Sequence, residues 1–130
     1  MRNHGSCQCG AVTFDIEGEP LRMAQCHCAD CRKASGTGHM SQAFFNKSQV
    51  TIHGKTQTFE NKADSGNDRI RHFCPVCGGR LFSENSRTLD TIGIAVGVLD
   101  DSSWFKPQSI VFSSQKPAWD VMDPDVPTKP

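Results

Sequence analysis

The chain is predicted to fold mostly as β-structure in a single domain, and three observations predict it. Apolar and polar residues alternate over strand-length stretches, eleven glycines and seven prolines mark many turns, and 130 residues suffice to bury one core. Ala11–Glu17 opens the series, with Val12, Phe14 and Ile16 on one face and Thr13, Asp15 and Glu17 on the other. Gly18-Glu19-Pro20 reads as a turn. A second strand over Leu21–His27 carries Cys26 and Cys28 to one face, because side chains repeat every two residues. Asp30–Ser35 reads as a short helical turn stopped by Gly36. Further strands are expected at Met40–Phe45, Val50–His53, Thr56–Glu60, Ile70–Phe73, Arg80–Glu84, Thr91–Leu99 and Ser109–Phe112. In Thr91–Leu99 the residues Ile92, Ile94, Val96 and Val98 share a face opposite Gly93, Ala95 and Gly97, the pattern of a central strand buried on both sides. Polar Asn61–Asn67 reads as a loop. Residues 1–122 form the expected domain, and Asp123–Pro130, with three prolines, an extended or frayed tail.

Fourteen basic residues balance fourteen acidic ones, which argues against nucleic-acid or membrane-surface binding, since both need a basic excess. No apolar run approaches the roughly 18 residues of a membrane span. Met1–Ser6 contains no apolar stretch of the kind that begins an export signal, so a cytoplasmic protein is expected. Exposed sheet edges would suit either a monomer or a homodimer.

Chemistry is concentrated in the seven cysteines, grouped as Cys7 and Cys9, then Cys26, Cys28 and Cys31, then Cys74 and Cys77. A disulfide framework is the competing reading. The odd number, the missing export signal and the poor geometry of bridges between such near neighbours weigh against it. Soft thiolates select zinc, Cu(I) or iron–sulfur clusters, and no cluster-binding run is present, so zinc is the default. Gly10 follows Cys9, and Gly78 and Gly79 follow Cys77. Glycine permits the tight turn in which backbone N–H groups face the sulfurs. Cys7, Cys9, Cys74 and Cys77 therefore group as a closed structural zinc site. Cys26, Cys28 and Cys31 supply the three ligands of a zinc that keeps one position open. Arg32 and Lys33 beside this triplet would lower thiol pKa values and attract anions, unless they are a solvated surface pair.

The segments Gly5-Ser6-Cys7-Gln8-Cys9-Gly10-Ala11-Val12, Cys26–Gly36 and Phe73-Cys74-Pro75-Val76-Cys77-Gly78-Gly79 resemble the glutathione-dependent formaldehyde-activating enzyme family, also called centromere-protein-V-like. Phe105-Lys106-Pro107, Ser109-Ile110 and Lys116-Pro117-Ala118-Trp119 fit its C-terminal pattern. The resemblance implies a β-tent fold pinned by zinc. It places a structural zinc on Cys7, Cys9, Cys74 and Cys77 and a catalytic zinc on Cys26, Cys28 and Cys31, two zincs per chain. It also implies formation of S-hydroxymethylglutathione from formaldehyde and glutathione, a carbon–sulfur lyase run in reverse, with glutathione or another small thiol as the partner.

Individual residues carry alternatives. His39, after the flexible Gly36-Thr37-Gly38, is a candidate acid or base or a surface histidine. Asp30 either orients a zinc-bound water or caps the helical turn, with capping favoured. His27 points away from its neighbouring ligands and is read as packed or hydrogen-bonded, and His72 as a strand residue. Trp104, Phe105 and Trp119 line a pocket or fill the core. Two readings compete with the enzyme: a non-catalytic module in which a side chain such as His39 closes the second zinc, and a thiol redox protein using Cys28 and Cys31.

Overall fold

In a computed structural model, residues 1–63 and 66–130 are described, so Asp64 and Ser65 of the expected 61–67 loop lie outside the described residues. The strands are β1 (Arg2–Ser6), β2 (Thr13–Glu17), β3 (Arg22–Cys26), β4 (Met40–Asn46), β5 (Val50–His53), β6 (Gln57–Lys62), β7 (Asp68–Phe73), β8 (Arg80–Asn85), β9 (Thr91–Ala95) and β10 (Ser109–Val111), and the helix α1 (Ala29–Ser35) follows β3. They form a three-stranded sheet, β1-β2-β5, and a seven-stranded sheet ordered β10-β3-β4-β9-β8-β7-β6. All pairs are antiparallel except β10 with β3.

The alternation read in the sequence sets which face is which. Ala43 and Phe45 of β4, Ile92 and Ile94 of β9 and Phe82 of β8 project from one face of the large sheet. With Val12 and with Phe14 and Ile16 of the small sheet they form the core. Phe14 meets Phe82 edge to face at 6.1 Å. Cys26, Met40, Gln42, Ala95, Ser83 and Arg71, in register across the same strands, occupy the opposite face, where α1 lies.

The structure corrects several expectations. Arg2–Ser6, polar in sequence, is a strand because it pairs with β2 along its whole length; tertiary pairing overrides propensity. Thr91–Leu99 is a strand only to Ala95. Val96–Val98 then turns as a 3-10 segment that brings Leu99 to bridge Gly5. A Cβ on Gly5 would collide with the Val98 carbonyl, so this crossing requires glycine there. The expected 61–67 loop is shorter, with Asn61 and Lys62 paired to Arg69 and Asp68. The tail is extended and tied down: Ile110 N–H donates to the Pro127 carbonyl (2.9 Å) and Lys129 N–H to the Ile110 carbonyl (2.8 Å). Trp104 and Phe105 pack against the core, whereas Trp119 is 68% exposed. Among the described residues, no helix is long and apolar enough to cross a membrane.

Phe45 is completely buried, so Phe45→Ala should lower unfolding free energy by about 3–5 kcal/mol in urea melts. Glu84 sits between Lys47 Nζ (2.7 Å) and His72 Nε2 (3.0 Å). Burial raises its pKa, but the Lys47 and His72 contacts outweigh that and hold it below 4.5. A carboxyl depressed in the folded state contributes stability above its unfolded pKa and loses it as pH falls through the folded value. Glu84→Gln should therefore cost about 1 kcal/mol at pH 7, and the difference from wild type should shrink as the pH falls below 4.5.

Candidate metal centres

Two hairpin turns build the first cluster. Cys7 and Cys9 lie in the β1–β2 turn, and Cys74 and Cys77 in the β7–β8 turn. The turns share one geometry: Gly10 N–H donates to the Cys7 carbonyl (3.2 Å) and Gly78 N–H to the Cys74 carbonyl (2.8 Å), with φ of 81° and 76°. Such backbone favours glycine. Val12 N–H points at Cys7 Sγ (3.3 Å), and Val76 and Cys77 N–H at Cys74 Sγ (3.4 and 3.5 Å). The four sulfurs lie within 4.8 Å of one another, with Cys7–Cys9 and Cys9–Cys74 both at 3.6 Å. A tetrahedron with zinc–sulfur bonds of about 2.3 Å has sulfurs ~3.8 Å apart, so the spacing fits zinc.

The titration of these thiols supports a cation. Backbone N–H groups of Cys9 and Gly79 lower Cys77 to about 6. Cys9 is pushed up to about 11: the Ala11 backbone favours its thiolate, but desolvation and the sulfurs of Cys7, Cys74 and Cys77 outweigh it. A bound metal ion favours thiolates and would offset the upward push on Cys9.

The second cluster is built at the β3–α1 junction. Cys26 ends β3 and Cys28 is the N-cap of α1, its Sγ accepting from Cys31 N–H at 3.3 Å; Cys31 lies in the helix. The three sulfurs lie within 4.8 Å of one another. Cys31 is held strongly toward thiolate, first by the Cys26 and Cys28 thiols and then by the Arg71 guanidinium. Cys26 is pushed upward by Cys28, Cys31 and burial. A cation held by the three sulfurs would offset the upward push on Cys26.

Cations do stand at this cluster, but not those expected. Arg69 Nη1 and Arg71 Nη2 of β7 each approach Cys31 Sγ at 3.7 Å. Arg32 instead donates Nε–H to the His27 carbonyl (3.1 Å), and Lys33 is exposed on the helix. Sequence reasoning missed both β7 arginines. The available signal was the alternation of Asp68–Phe73, which sets Arg69 and Arg71 on one face.

Asp30 does not cap α1; Cys28 does, leaving Asp30 in the first turn, accepting from Asn61 Nδ2 at 3.1 Å. Strand alternation puts His39 on the face of Gln25, whose Nε2 lies 3.4 Å from His39 Nε2, and away from Cys26. There His39 Nδ1 pairs with Asp120 Oδ2 (2.8 Å), while buried His27 donates Nδ1–H to the Gly38 carbonyl (2.8 Å). His27, His39 and Asp120 thus form a third polar group, in which both Nδ1 atoms are engaged while the buried His27 Nε2 has no hydrogen-bond partner among the described residues. Among the described residues, no histidine or carboxylate joins the three sulfurs as a fourth ligand. His72 is a strand residue, stacked on Phe82 with ring centroids 4.0 Å apart.

Comparison with known proteins identifies a family and a shared fold. Residues 2–115 match the profile of the family described as "Glutathione-dependent formaldehyde-activating enzyme". A Halomonas elongata protein, provisionally named a glutathione-dependent formaldehyde-activating enzyme, is 27% identical over 125 residues, covering 92% of this chain and 80% of its own. A crystal structure of a Rhodobacter sphaeroides protein superposes with a TM-score of 0.62 at 18% identity, covering 96% of this chain and 98% of its own, which shows a shared fold.

Cys74 is fully buried, and its sulfur accepts two N–H groups. Apparent zinc-binding energies of such sites are on the order of 10–16 kcal/mol, which a small β domain cannot replace. Cys74→Ser should give insoluble protein, and Cys31→Ser a soluble, folded one, judged by soluble yield and circular dichroism. A soluble Cys74→Ser protein with the wild-type melting temperature would refute a structural role for the first cluster.

Proposed function

The chain belongs to the glutathione-dependent formaldehyde-activating enzyme family, and on that premise we propose that it joins glutathione to formaldehyde, giving S-hydroxymethylglutathione, in the cytoplasm. In this reading Cys26, Cys28 and Cys31 hold a zinc with one position open, and Cys7, Cys9, Cys74 and Cys77 hold a second zinc that maintains the fold. The observation that carries it is the convergence of three sulfurs and two guanidinium groups, with no fourth protein ligand among the described residues.

The reaction forms one carbon–sulfur bond. The glutathione sulfur attacks the formaldehyde carbon, and the thiol proton ends on the oxygen that becomes the hydroxyl. Run backward, it is carbon–sulfur lyase chemistry. Zinc, when bound, stabilises a thiolate and acts as a Lewis acid. Three cysteine thiolates and one Zn²⁺ together carry a single negative charge. Arg69 and Arg71 offset it, so that a further anionic sulfur is not repelled from the site. The face behind is closed by Met40, packed on Cys28 and Cys31, which keeps water from that side.

Neither competing reading gains a specific observation. Closure by His39 is opposed by its position on the other sheet face. A Cys28–Cys31 redox couple leaves Cys26, which shares their cluster, without a role.

Elemental analysis and NMR detection of the hydroxymethyl adduct test the proposal together. Wild-type protein should contain two zincs per chain and accelerate adduct formation. Replacing Cys26, Cys28 and Cys31 with serine should leave one zinc, a folded protein and the uncatalysed rate. Equal rates for the two proteins would refute the enzyme.

A further inference from the structure

Between α1 and the β6–β7 hairpin runs a groove of about 320 Å³ lined by Asp30, Lys33, Phe59, Asn61, Arg71 and Arg80, among others. One wall leads to the second cysteine cluster: Arg71 is 6% exposed, belongs to the groove and donates to Cys31 Sγ. Lys33 and Arg80 are exposed, and among the described residues neither has a carboxylate within 4 Å. A larger groove of about 510 Å³, on the far side of Asn61, differs in this respect. Its Lys47 is paired with Glu84 and its Lys62 with Asp68.

Single exposed cations are normally solvated and need no ligand. Arg80, however, is held in place. Its Nε–H donates to the Ala34 carbonyl at the end of α1 (3.0 Å), and its guanidinium stands 5.4 Å from the Phe73 ring centre. This leaves both Nη groups for a ligand, in the planar arrangement that suits a carboxylate. Asp30 is the acidic residue of the groove lining, and it holds Asn61.

The geometry points to this groove as the carboxylate-binding subsite for the thiol substrate, with Lys33 and Arg80 as the residues that hold its carboxylates and Asp30 facing its ammonium group. Glutathione carries two carboxylates, one ammonium and a central thiol, which matches two unpaired cations, one acid and a sulfur site at the Arg71 end. The inference rests on the proposed function for the identity of the substrate. Lys33 and Arg80 lie away from the reacting atoms and so act on binding, raising KM when removed.

Titration with S-methylglutathione tests this apart from turnover, because the thioether keeps all three charges and has no thiol proton to lose. Wild-type protein should bind it. Lys33→Met/Arg80→Gln should bind at least ~10-fold more weakly, as should wild type with the S-methylglutathione dimethyl ester. Lys33→Met alone, a change at an exposed side chain that does not threaten folding, should weaken binding by about threefold. No binding to wild type, equal affinity in the double variant, or equal affinity for the ester would overturn the inference. Charge-dependent binding in a protein that leaves adduct formation at its uncatalysed rate would support the subsite while refuting the reaction.

Discussion

Crowded sulfur is the constraint on which this structure depends. Four cysteine sulfurs, two contacts at 3.6 Å among them, come from turns 65 residues apart in sequence. Without a cation they share protons unequally, one thiol pushed up while others are pushed down. A cation held by all four would fasten the β1–β2 turn to the β7–β8 turn. That tie joins the small sheet to the large one at the edge of the core, since Cys7 and Cys74 are themselves buried members of it. Two glycines, Gly10 and Gly78, supply the backbone that makes both turns possible.

The two faces of the large sheet serve different ends. One face is apolar and packs on the small sheet. The other receives α1 and carries the cysteine triplet, the β7 arginines and the groove. Because side chains alternate along every strand, a single register fixes both at once. A one-residue slip in β7 would move Arg71 away from the triplet to the face of Ile70 and His72.

Charge, rather than shape alone, distinguishes the second cluster from the first. In the quartet, the thiolates are served by backbone N–H groups of Val12, Val76 and Cys77. In the triplet, two guanidinium groups reach Cys31. Neutral donors suit a site closed by four protein ligands, whereas full positive charges suit one that must accept another anion. The third polar group, His27, His39 and Asp120, acts within the fold by joining the segment after α1 to residues beyond β10. Gly38 is glycine there because a Cβ would collide with the Asp120 carboxylate.

Local chemistry was legible in the sequence by itself. Ligand type, spacing and adjoining glycines grouped the seven cysteines, and period-two alternation located most strands, because both signals lie within a few consecutive residues. Non-local pairing was not legible. Arg2–Ser6 is a strand only because β2 lies beside it, and Val96–Val98 leaves the strand only because Leu99 must reach Gly5. The partners of the triplet were equally hidden. Arg32 and Lys33 are its neighbours along the chain, but one is engaged by a backbone carbonyl and the other faces solvent, while Arg71 arrives from 40 residues away. His39 follows the same rule: proximity in sequence suggested the triplet, and strand alternation put it on the opposite face. Sequence alone determines which side chains are present and their local geometry; which of them share a dielectric environment, and therefore which charges act on a thiolate, is decided only when the strands are in register.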